Sequence, residues 1–143
     1  MKFKIFILVA LFCWSTILGH AAEPKIIANE DVSDQYISQY ELIKIFTRKK
    51  IFWSDGSKIT VFVKPLDSLE HKIFTINILN LTPYKFKSMA DAIVYSGSNN
   101  PPIEIGSDEE MMLRLANTPN SIGYVNYSIM VNGTHGLISI KIQ

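Results

Sequence analysis

The sequence predicts an α/β fold, a mixed β-sheet flanked by helices, and three observations lead there. Short β-branched and aromatic runs alternate along the chain with stretches of amphipathic helical spacing. The 143 residues show no internal repeat and no linker-like tract, which suits one layered domain better than two. The single cysteine, Cys13, lies in the N-terminal apolar run, so a hydrophobic core rather than disulfides must hold the rest together.

The first residues read as a signal peptide. Lys2 and Lys4 precede an apolar run from Ile5 to Trp14, and Gly19-His20-Ala21 offers small residues at a cleavage site. Residues 1–21 are therefore expected to leave, with 22–143 forming a single domain. The apolar run is too short for a comfortable membrane span, and no span is expected in the mature chain. The whole chain carries 14 Lys and Arg against 13 Asp and Glu, and two of those lysines go with the leader. A near-neutral chain lacks the footprint of a nucleic-acid binder. Export without disulfides points to a bacterial periplasm rather than an animal secretory route.

The elements follow in order. Lys25–Asn29 is a short apolar strand, and Glu30–Gln35 a polar loop. Ser38 with Glu41 makes a capping box for a helix whose Leu42, Ile45 and Phe46 share a face. Arg48, Lys49 and Lys50 are expected to close it as cations complementing the dipole. Trp53–Ser57 is a turn in which Gly56 takes positive φ. Ile59–Val63 is a strand ended by Pro65, and Asp67 or Ser68 caps the next helix. There the spacing predicts Leu69, Ile73, Ile76 and Leu79 on the buried face. A second amphipathic helix spans Pro83 to Tyr95 and stops at Gly97; residues 98–102 form a loop and Ile103-Glu104-Ile105 a short strand. Ser107 caps a helix with Asp108, Glu109 and Glu110 in its first turn, buried through Met111, Met112, Leu115 and Leu113. Thr118–Ser121 breaks it before the strand Ile122–Val125. Asn132-Gly133 suits a hairpin turn, and Leu137–Ile142 alternates as the last strand. The expected core is Phe46, Trp53, Phe62, Phe74, Met112 and Tyr124.

Several of these pieces, in this order, resemble the periplasmic phosphate-binding proteins of ABC transporters, within the type II periplasmic binding protein superfamily. The matching stretches are Ile26–Asn29, the Glu41–Phe46 helix and the Trp53-Ser54-Asp55-Gly56 turn. Val61-Phe62-Val63 with its following helix continues the match, and Thr118–Val125 ends it. The resemblance covers residues 25 to 126. It implies one lobe of a two-lobed binding protein, a non-catalytic transport function and a small oxyanion as ligand. In that family the strand-to-helix junction carries an Arg followed by Ser-Gly-Thr. The corresponding junction is Lys64-Pro65-Leu66-Asp67-Ser68-Leu69-Glu70, so the resemblance implies Lys64 and Ser68 as ligand-binding residues. Lys64 offers a point charge in place of a fork. Asp67 and Glu70 repel an anion, so binding by the lone lobe should be weak. The alternative is a periplasmic adaptor, or accessory interaction module, that has lost ligand binding and works through a protein partner or a second copy.

The residues themselves name no chemistry. No nucleophile elbow, phosphate loop or zinc motif is present. His20, His71 and His135 have no i,i+4 partner and no cysteine near them, so neither a metal site nor a cofactor is expected. Ser68 also serves simply as a helix cap, and Lys64 beside Pro65 reads as a solvated strand-end charge.

Overall fold

A computed structural model of the chain describes residues 23–97, 100–126 and 135–143. The expected leader (1–21), part of the 98–102 loop and the Asn132-Gly133 turn lie outside the described residues.

Five strands form the main sheet: β1 (Lys25–Asn29), β3 (Thr60–Val63), β4 (Ile103–Glu104), β5 (Ser121–Val125) and β6 (Leu137–Ser139), in the order β4-β3-β5-β1-β6. β3 runs parallel to both β4 and β5, while β1 is antiparallel to β5 and β6, so the sheet is mixed as expected. A small parallel pair joins β2 (Tyr36–Ile37) to β7 (Lys141–Ile142). The expected last strand is thus two, because buried Ile140 lies between pieces that pair with different partners.

Strand alternation divides the core between the two faces. Ile26, Ala28, Val61, Val63, Ile122 and Tyr124 face one side with Phe46, Trp53 and Phe74. Ile27, Phe62 and Val125 face the other with Met111 and Leu115. The first side is covered by α1 (Gln39–Phe46), α2 (Leu69–Ile73), a π-helical turn (Phe74–Ile78) and α3 (Pro83–Tyr95); the second by α4 (Asp108–Asn117). Gly123 explains how α4 comes so close. A Cβ built there would meet Met111 Sδ at 2.7 Å and Leu115 Cδ1 at 3.3 Å. Of the expected core, Met112 is only half-buried and Met111 takes its place.

Caps follow the sequence signals. Ser38, Ser68, Thr82 and Ser107 each accept a backbone N–H three residues on. Two expectations fail for traceable reasons. Leu69 and Ile76 face solvent, whereas His71, Phe74, Thr75 and Ile78 face in. One helix cannot bury both the Leu69–Ile73–Ile76 stripe and Phe74, and the aromatic wins by stacking on Tyr124 at 3.7 Å and meeting Phe46 edge-on at 4.8 Å. Leu113 is likewise exposed. Arg48, expected as a solvated cation at the end of α1, is buried with a left-handed backbone (φ 66°). Its Nη1 donates to Ile59 O and its Nε to Asn100 O, both at 3.1 Å, so it ties α1 to β3 and to the approach to β4.

Candidate functional site

The connections leaving β3 and β4 pass over opposite faces of the sheet: α2 to α3 on one, α4 on the other. In α/β sheets that arrangement opens a crevice at the carboxyl ends of the strands. At this end of the sheet lie Lys64 after β3, Ser68 at the start of α2, Ser107 and Asp108 at the start of α4, and Tyr124 on β5.

Lys64 is not the solvated strand-end charge its place beside Pro65 suggests. Its side chain is 4% exposed, and Nζ sits 2.7 Å from Asp108 Oδ1, on a carboxylate side chain that is 17% exposed. The other carboxylate oxygen accepts the N–H of Asn126 at 3.2 Å, which fixes the start of α4 against the end of β5. The acid favoured at the helix N-terminus by the dipole is therefore also the counter-ion of a buried lysine. Ser68 keeps its hydroxyl turned into its own helix, accepting His71 N–H at 3.2 Å. Asp67 and Glu70 lie within the same turn, Asp67 exposed and Glu70 partly covered.

Behind this pair runs a buried polar chain that the sequence reading missed. Lys64 N–H donates to Tyr124 Oη at 2.9 Å, and Tyr124 Oη lies 2.7 Å from His71 Nδ1. Because the hydroxyl accepts from the backbone, its own proton is assigned to His71 Nδ1, which puts the imidazole hydrogen on Nε2. Burial holds His71 neutral, its pKa lowered to about 4, and pushes the Tyr124 phenol well above its ordinary range. His71 Nε2 is buried with no hydrogen-bond partner among the described residues. Its ring stands edge-on to Phe86 at 4.9 Å. The sequence treats His71 only as a residue without metal-site partners, because the Tyr124 hydroxyl that meets it lies 53 residues along the chain.

Elsewhere the predicted turn is in place. Asp55 accepts both Ser57 N–H and Ser57 Oγ–H, which lowers its pKa, and Trp53 Nε1 donates to Asn120 O at 3.0 Å. Among the described residues no group of His, Cys, Asp and Glu is placed to hold a metal ion, and no helix is long and apolar enough to cross a membrane.

The architecture matches that of one lobe of solved substrate-binding proteins. The solved structures that share it include an ABC-type phosphate transport receptor from Vibrio cholerae (TM-score 0.62, 11% identity, 85% of this chain and 46% of that one). A possible phosphate-binding protein from Planctomyces limnophilus matches at TM-score 0.62 and 16% identity, over 86% of this chain and 43% of its own. A putative phosphate ABC transporter substrate-binding protein from Clostridium perfringens, solved with bound phosphate, matches at 0.61 and 16%, over 85% and 45%. The chain thus spans under half the length of these structures, and at such identities the likeness is one of fold. No protein-family model and no curated protein matches this sequence.

Proposed function

We propose that this chain is a non-catalytic, exported binding lobe related to phosphate-transport substrate-binding components, and that it recognises phosphate or another small oxyanion only weakly. One observation carries the reading: the cation at the carboxyl end of β3 already has a carboxylate 2.7 Å away. An incoming anion must displace Asp108 or share Lys64 with it. The full charge on Asp108 outweighs the roughly half charge offered by a helix N-terminus. Asp67 and Glu70 add to the repulsion, and a lone lobe covers only one side of a ligand. Lys64 supplies the point charge and Ser68 a hydroxyl at the start of α2. Calorimetry of the protein with phosphate tests this: weak or absent heat supports it. Submillimolar binding that Lys64→Ala or Ser68→Ala abolishes restores ordinary solute binding.

A second reading, a periplasmic adaptor that works through a protein partner or a second copy, is favoured by Leu69. This leucine opens α2 beside the crevice and is 68% exposed, where the resemblance calls for a small glycine. Sedimentation of the protein alone, and of Leu69→Glu, tests for self-association through that face.

A further inference from the structure

The helix that opens at Leu69 carries apolar residues on two sides. Phe74 and Ile78 turn into the core with His71 and Thr75. On the outer side Leu69 is 68% exposed, Ile76 is 53% exposed and Ile73 is half-buried. Spacings of four and three residues line these three up along one stripe, the pattern of a helix-pairing seam. A helix that is apolar all round is normally covered on both sides, yet this stripe faces solvent. Glu70 and Lys72 fall on its opposite flanks at 3.6 residues per turn. Neither has an ion-pair partner among the described residues, and two residues apart on a helix they do not face each other.

We propose that this stripe pairs with the same stripe of a second copy about a two-fold axis running along α2, which rests on the second reading above and fixes its partner. Charge selects both the partner and the axis. An axis along the helices runs them in the same direction and sets Glu70 of each copy on the side of the partner's Lys72, about 3 Å away along the axis for two residues of helical rise. An axis across the helices brings Glu70 toward Glu70 and Lys72 toward Lys72. A face with one anion and one cation about an apolar stripe therefore complements itself, whereas a foreign surface of a single sign would meet one flank and repel the other. The contact closes at two copies. Asp67, exposed just before the helix, places like charges together at one end, so the pair should be weak.

Sedimentation equilibrium over a range of concentrations tests this on the wild type and on Leu69→Glu, Glu70→Lys and Lys72→Glu. The wild type should show a monomer–dimer equilibrium, which Leu69→Glu weakens by about tenfold or more. Each charge reversal alone should weaken it by about threefold or more. An equimolar mixture of Glu70→Lys and Lys72→Glu should regain the wild-type affinity, because one copy then offers two cations and the other two anions. Should Leu69→Glu fail to fold, Ile76→Ser must still weaken the dimer measurably. A wild type that stays monomeric overturns the pairing and leaves the adaptor reading to a foreign partner. Loss of the dimer in Leu69→Glu with no effect of either charge reversal overturns the pairing as well, while self-association through Leu69 stands.

Discussion

The two ends of β3 treat a buried cation in opposite ways. At the carboxyl end Lys64 is packed against Asp108, and the space behind it is filled by Tyr124, His71 and Phe74. At the amino end Arg48 is equally buried, but it donates to two carbonyls and borders an open cavity that Lys58 also lines. A full counter-charge from the same chain closes a site to outside anions, whereas the carbonyls at Arg48 fix a cation in position. The end that resembles an oxyanion site is thus the one that its own sequence has neutralised.

The largest effect should come from the packed end. Phe74→Ala removes the ring stacked on Tyr124 and should cost about 3–5 kcal/mol, read as a shift in chemical-denaturation midpoint; an unmoved midpoint would show that the end is not packed. Lys64→Met should cost about 3 kcal/mol by leaving Asp108 without its cation, and Lys64→Met with Asp108→Leu should recover most of that. A double variant no more stable than the single one would break the contrast.

The polar chain gives a pH signature. The folded pKa of His71, about 4, lies below its ordinary value of 6.5, so the unfolded chain binds the extra proton first. The contribution is complete above pH 6.5 and is lost as pH falls toward 4, amounting to about 3 kcal/mol. The groups set against the imidazole are the Tyr124 hydroxyl and the Phe74 and Phe86 rings, while Lys64 N–H reaches it through that hydroxyl. Denaturation of wild type and His71→Asn between pH 4 and 7 should show a steeper slope for wild type. Parallel slopes would remove His71 from the account. The smallest effect belongs to the open end: Lys58→Gln should change stability by no more than about 0.5 kcal/mol, and a larger loss would mean that Lys58 holds the fold together.

Much of the fold was legible because local rules agree with the tertiary structure. Ser38, Ser68 and Ser107 cap where their side-chain chemistry predicts, and Pro83–Tyr95 forms a helix to the residue. Ile122-Gly123-Tyr124 reads as a strand with a small residue on one face, and α4 packs there. What failed depended on distant partners. Leu69 and Phe74 both fit helical spacing, and only the Tyr124 ring on β5 decides which one turns inward. Arg48 looks like a helix-end cation until Ile59 and Asn100 bring carbonyls to it. Asn29, read simply as the end of a strand, reaches 86 residues along the chain to donate to Leu115 O at 2.9 Å, closing the end of α4. Lys64 is picked out by resemblance, but nothing local to Lys64-Pro65 tells that Asp108, at the start of α4 beyond α2, α3 and β4, will neutralise it.

The most direct test of the central claim is a calorimetric titration of phosphate into wild type and Asp108→Asn. Removing the carboxylate charge while keeping its shape leaves Lys64 uncompensated at the head of α4. The account predicts little or no binding to wild type and an affinity at least about tenfold higher for Asp108→Asn, with phosphate raising the melting temperature of the variant alone. Submillimolar binding by wild type that Asp108→Asn leaves unchanged would contradict it, because Asp108 would then not be what closes the site.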